Sequence, residues 1–207
     1  VDAGFTAVDT ADSYGKGKSE TILGNWMKAR GNRDKVKVFT KVGSDMGQGH
    51  RDLSAKWIAE EVDASLKRLQ TDRIDLYQSH WPDPNTPQEE TLEAFDRLVK
   101  AGKVLWIGSS NQDEKLLGEA LAISARKGIA RYQTVQNEFN LYDRSSFEGA
   151  GQDLCVKEEV SGIGYFSLAR GFLSGKYRST ADADKSARGK AAVDKYLNPR
   201  GEKILKA

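Results

Sequence analysis

Asp9, Tyr14, Lys41 and His80 are the residues whose types, taken together, could do proton chemistry in this sequence. Asp9 closes the apolar run FTAVD, and Tyr14 follows in the glycine-containing stretch DSYGKGKSE. Lys41 closes VKVFTK and His80 closes IDLYQSH. A tyrosine is a poor acid at neutral pH, its ordinary pKa being about 10. A nearby ammonium stabilises the phenolate and eases proton donation, and a carboxylate paired with that ammonium keeps it charged and oriented. An imidazole can hydrogen-bond a carbonyl oxygen where negative charge develops. Such a group suits delivery of a proton to a carbonyl oxygen while hydride reaches its carbon. Taken singly, each residue is equally explained by loop or capping duty. Two other chemistries use the same residues. A desolvated Lys41 could form a Schiff base, although Asp9 as partner favours the ammonium. His80 and His50 could bind a metal, but they are the only two histidines, and the carboxylates of a zinc site are not apparent.

Positioning these residues requires elements that end near one another. Short apolar runs at 5–9, 36–41, 74–80, 104–110, 134–138 and 162–167 predict strands. Helices are predicted at 19–30, 54–69, 87–101, 112–127 and 151–160. In the second helix Ile58, Val62, Leu66 and Leu69 recur at helical spacing behind a Ser54 cap. Thr86-Pro87-Gln88-Glu89 predicts a threonine N-cap with proline at N1, and Asp113 and Glu114 favour the next helix start. Strand–helix alternation with short connections implies parallel strands joined by right-handed crossovers, in a doubly wound sheet or a (β/α)8 barrel. No GxGxxG follows the first strand and no Walker motif is present, which argues against the doubly wound dinucleotide fold. Polar residues instead recur at strand ends: Asp9, Lys41, His80, Asn111 just beyond its strand, and Gln136. The carboxyl ends of parallel strands converge on one mouth of a barrel, which explains the recurrence.

The bulk numbers exclude several function classes. A net charge of +2 with scattered basic residues offers no nucleic-acid stripe. No apolar run is long enough for membrane insertion, and VDAGFTAVDT lacks a signal-peptide pattern. One cysteine, Cys155, excludes an internal disulfide; a reducing, cytoplasmic setting is expected, with Cys155 on an apolar helix face.

In combination, GFTAVDTADSYGKGKSE, FTKVG, DLYQSHWPD, TPQEET, GKVLWIGSSN, QNEFNLYDR and LARGFLSGKY resemble the aldo-keto reductases along the whole chain. The nearest likeness is to the bacterial branch that also resembles the β-subunits of voltage-gated potassium channels. The resemblance implies a TIM (β/α)8 barrel, read as one partial domain over residues 1–207, and NADPH-dependent reduction of a small aldehyde or ketone. Tyr14 is then the general acid, completed by Asp9, Lys41 and His80. Ser110 and Asn111 match the pair that holds the nicotinamide carboxamide, and Gln136 shares that task. Tyr165 falls where an aromatic ring stacks on the nicotinamide. The common YSPL reads YFSL here, so Phe166 and Ser167 replace serine and proline and change the stiffness of the loop. Leu168, Arg170 and Lys176 match residues along the cofactor diphosphate, where the two cations and backbone N–H groups suit phosphate. Trp81 is a candidate pocket wall, and Trp106 is expected to be packing.

Set against the family pattern, the sequence covers approximately strands two to seven. The strand before VDAGFTAVD, the completed seventh helix and the eighth strand are expected but absent from it. The adenosine 2′-phosphate clamp belongs to the segment after that eighth strand. Self-association or a complementing chain is one expected remedy for an open barrel edge. Two rival readings remain: a nicotinamide-binding, redox-sensing subunit that docks to a protein partner, and a noncatalytic barrel fragment.

Overall fold

The computed structural model describes residues 1–206, in which strands and helices alternate much as the apolar spacing requires. The strands are β1 (Ala7–Asp9), β2 (Lys37–Val42), β3 (Ile74–Ser79), β4 (Val104–Ser110), β5 (Tyr132–Glu138) and β6 (Ser161–Tyr165). Between them lie α1 (Lys18–Arg30), α2 (Ala55–Leu69), α3 (Gln88–Lys100), α4 (Glu114–Lys127) and α5 (Ala150–Lys157). The sheet order is β1-β2-β3-β4-β5-β6, and the first three pairings are parallel. Lys41 is paired with Gln78 in this register and Gln78 with Gly108, so the three form one row on one face.

The helix starts show which local signals held. Ser54 caps α2 by accepting the Trp57 N–H, and Asp113 caps α4 by accepting that of Leu116. Thr86 does not cap α3. Its hydroxyl donates to Asp83 at 2.7 Å, and extended Pro87 takes the cap position instead. The buried stripe of α2 is Ile58, Glu61, Val62, Ser65 and Leu69; Leu66 is only half-buried and Ser65 is buried in its place. The apolar stripe is thus interrupted by a carboxylate and a hydroxyl that need partners. The strand expected over 162–167 stops at Tyr165, because Phe166 turns left-handed with φ 52°. Trp106 is not core packing: it is 59% exposed, in a row with Phe39 and Leu76 that lines an open cavity of about 410 Å³.

The chain forms two compact units. The first is Val1–Val135 with Glu159–Ser161; the second is Gln136–Glu158 with the residues from Gly162 onward. In the first, β3 is buried at every position, and Ile58, Val62, Tyr77, Leu92 and Phe95 are fully buried. Each such side chain contributes about 1.5–3 kcal/mol. α1 packs on α2 through Gly24, where an added Cβ would meet the Arg68 carbonyl oxygen at 2.4 Å. The second unit is built on Phe172, Tyr177 and Tyr196 with Ala169, Ala192 and Val193. It adds α6 (Gly189–Tyr196) and α7 (Pro199–Ile204), the latter capped by Asn198. Cys155 is buried on α5.

Candidate functional site

In the first unit, strand ends and the turn after β1 bring the four proton-handling residues together. Lys41 is 1% exposed at the end of β2, and its Nζ donates to Asp9 Oδ2 and to the Thr10 carbonyl, both at 2.7 Å. The same Nζ lies 5.2 Å from the centroid of the Tyr14 ring. The Tyr14 ring meets the His80 ring edge-on, with centroids 5.8 Å apart. The backbone fixes this geometry. Thr10 N–H donates to the Phe39 carbonyl, Asp12 N–H to that of Lys41, and His80 N–H to that of Val42. Loop and strands are therefore held by the same hydrogen-bond ladder that builds the sheet.

Burial lowers the Lys41 pKa, and the charge and hydrogen bond of Asp9 oppose that fall. Asp9 thus supplies the charge and the hydrogen bond that favour the ammonium against its burial. Burial, then Lys41 and Arg51, push the His80 imidazole down to about 4, so it is neutral at neutral pH. Its Nδ1 lies 2.9 Å from Ser44 Oγ and 3.4 Å from Ser13 Oγ. Trp81 stacks on His80 at 5.7 Å, and Arg51 lies 4.7 Å from the Trp81 ring centroid. Ser110 is buried at the end of β4. Asn111 follows with φ 57°, and its side-chain nitrogen donates to the His80 carbonyl at 2.9 Å and to Ser110 Oγ at 3.1 Å. His50 stands on an exposed loop, 3.1 Å from the Gln48 carbonyl through Nδ1.

The remaining predicted residues lie in the second unit. Gln136 is buried on β5. Tyr165 ends β6 with its ring edge-on to Phe166 at 5.2 Å, and burial raises its phenol. Ser167 Oγ donates to the Gly164 carbonyl, which closes the turn left without proline. Leu168 is 61% exposed. Ala169, Arg170 and Gly171 all take positive φ, and the Ala169 and Gly171 N–H groups donate to the Phe166 and Leu168 carbonyls. The Arg170 guanidinium lies 4.2 Å from the Phe166 ring centroid, and its Nε is buried with no hydrogen-bond partner. Lys176 borders Gly171, with Cε 3.0 Å from the Cβ a side chain there would add. A cationic loop with an orphaned guanidinium nitrogen fits the chemistry of a cofactor diphosphate.

Sequence reasoning missed Ser44 and the charged cluster acting on Asp12. Ser44 lies in the glycine-containing loop GSDMGQGHRD, and nothing local marks it as the partner of His80. In that cluster Arg68 donates to Glu20 at 2.6 Å and also to Glu61, while Thr40 Oγ1 donates to Glu20 at 2.6 Å. Asp12 is fully buried alongside.

Comparison with known proteins places this geometry in context. The model of a family described as the aldo/keto reductase family matches residues 1–206. The chain is 41% identical over 178 residues to the aldo-keto reductase YhdN of Bacillus subtilis, covering 85% of this chain and 52% of that protein. It is 33% identical to a putative voltage-gated potassium channel subunit beta of Schizosaccharomyces pombe, again over 85% and 52% of the two. The solved structure of the glycerol dehydrogenase AKR11B4 from Gluconobacter oxydans superposes with a TM-score of 0.81 at 30% identity, over 99% of this chain and 62% of that one. The chain therefore spans between about half and just under two thirds of the length of these relatives. The expected barrel class and the likeness to both the reductases and the channel subunits are borne out.

Proposed function

The chain belongs to the aldo/keto reductase family, and from that premise we propose that it acts in reducing a small aldehyde or ketone to an alcohol, with Tyr14 as general acid. The observation that carries this reading is Lys41: a buried ammonium held by Asp9 at 2.7 Å and set 5.2 Å from the Tyr14 ring. A cation so placed favours the phenolate left after Tyr14 has given its proton to the carbonyl oxygen. Neutral His80, held through Nδ1 beside Ser44, offers a hydrogen bond to the same oxygen without competing as an acid. The proton ends on the alcohol oxygen, and Tyr14 is recharged from solvent, to which it is 43% exposed.

A bound nicotinamide supplies the hydride that the carbonyl carbon accepts. Ser110, Asn111 and Gln136 are assigned to its carboxamide, Tyr165 to its ring, Leu168, Arg170 and Lys176 to the diphosphate, and Phe166 and Ser167 to the cofactor-binding turn that joins them. The orphaned Arg170 Nε supports the diphosphate assignment. NADP is the form proposed, in a cytoplasmic setting; none of the described helices is long and apolar enough to cross a membrane.

The test is Tyr14→Phe, assayed with NADPH against a panel of small aldehydes and ketones. Turnover should fall by about 10²–10⁴, the range of general acid catalysis, with NADPH affinity unchanged in calorimetry. Full activity in the variant would remove Tyr14 from the chemistry.

A further inference from the structure

Asp12 is a carboxylate to which the proposed reaction gives no role, yet it is fully buried two residues before Tyr14. One of its oxygens accepts the Ser13 N–H at 2.5 Å; the other, Oδ2, is buried with no hydrogen-bond partner. Its own N–H donates to the Lys41 carbonyl, and the Tyr14 N–H donates to that of Ala11. Asp12 is therefore the point of the turn nearest Tyr14 that is bonded to β2, beyond the Thr10 bonds to Phe39 and Lys41.

The charges around Asp12 do not welcome another anion. Those acting on it are Glu20 of α1, Glu61 and Arg68 of α2, Lys41 of β2 and Tyr77 of β3. Arg68 is the cation nearest in role, but its Nε is taken by Glu20 and its Nη2 by Glu61 and Ser65. Lys41 is engaged by Asp9 and Thr10. Tyr77 is fully buried with its hydroxyl unpartnered, so it brings no second compensating contact. Three buried carboxyls share the neighbourhood of one guanidinium that already serves two of them. An uncharged carboxyl with one free oxygen costs far less there than a carboxylate with one.

We propose that Asp12 is a positioning residue that works as an uncharged carboxyl, seating the Ser13–Tyr14 turn against β2. In that form it still accepts the Ser13 N–H through its carbonyl oxygen and adds no third negative charge to the cluster. Burial, followed by Glu61, pushes its carboxyl up to about 7, in agreement with the geometry. The folded chain then holds a proton that the unfolded chain releases near pH 4. The associated stability is fully present below that pH and is lost as pH rises toward 7. Above about 7 the cluster carries the extra charge, and the turn under Tyr14 loosens.

The test pairs wild-type chain with Asp12→Asn, which keeps the acceptor and cannot ionise. Urea unfolding at pH 5, 6, 7 and 8 should show the folding constant of the variant gaining on wild type by about tenfold per pH unit up to near pH 7, then levelling. A ratio that stays constant across the series would overturn the uncharged state. A second readout is the ring resonance of Tyr14 in tyrosine-labelled protein, assigned with Tyr14→Phe. It should shift with a midpoint near pH 7 in wild type and stay fixed in Asp12→Asn. Asp12→Ala should displace that resonance at every pH, while Asp12→Asn preserves it at its acidic wild-type position. A resonance indifferent to both variants and to pH would overturn the positioning role. Only the importance of that turn for catalysis rests on the function proposed above. Neither readout depends on turnover, so a failure of the Tyr14→Phe assay and a failure here are distinguishable.

Discussion

His80 shows how a single residue acquires a role from its surroundings. An imidazole with an ordinary pKa near 6.5 is part-charged at neutral pH and would act as a competing acid. Here burial and the two cations Lys41 and Arg51 bring it to about 4. Between pH 4 and 6.5 the unfolded chain takes a proton that the folded chain refuses. The stability linked to His80 is thus present above 6.5 and is lost as pH falls toward 4. The expected outcome is an imidazole titration midpoint close to 4 in proton–carbon correlation spectra. Because the chain has only two histidines, His50→Gln assigns it. A midpoint near 6.5 would mean that the ring is solvated and unsuited to the neutral role. This slope runs opposite to that of Asp12, so only the paired Asp12→Asn comparison isolates the latter.

At the level of elements, the packing of α1 on α2 holds the Glu20–Arg68–Glu61 group that acts on Asp12. Gly17, with φ 86°, starts α1 where an added Cβ would meet Arg68 Cδ at 2.7 Å, and Gly24 faces the Arg68 and Leu69 backbone. Gly24→Ala sets two effects against each other. Helix propensity favours alanine by about 1 kcal/mol. Overpacking costs about 1–3 kcal/mol. The atoms met at Gly24 are backbone carbonyls at 2.4 and 2.8 Å, which cannot rotate aside, so overpacking prevails. The urea midpoint of the variant should therefore fall. A second readout is the pH dependence of the Tyr14 resonance, which should be disturbed if α1 shifts away from Arg68.

For the molecule as a whole, the two compact units carry different chemistry: the proton-handling residues in one, the cationic loop in the other. Arg170→Ala tests the second by itself. Loss of a charge-assisted contact to phosphate should weaken NADPH binding at least about tenfold in calorimetry, since such bonds contribute about 1.5–3 kcal/mol. Unchanged affinity would remove Arg170 from the diphosphate. Running NADH in parallel tests the preference for the phosphorylated cofactor.

Much of this protein was legible from its residues alone. The strand–helix alternation, the Ser54 and Asp113 caps and the family could all be read, because periodicity, caps and short motifs are properties of neighbouring residues. The four proton-handling types could be named for the same reason, since each ends a strand or follows one. Tertiary structure alone decided the rest. The 2.7 Å pairing of Lys41 with Asp9 spans 32 positions, Ser44 reaches His80 across 36, and Glu20 meets Arg68 across 48. Thr86 lost its cap to Asp83, and Trp106 lost its place in the core, through contacts and exposure that no local pattern records. Burial and the set of charges around a group come from such distant contacts, and they make His80 neutral and leave Asp12 without a cation of its own.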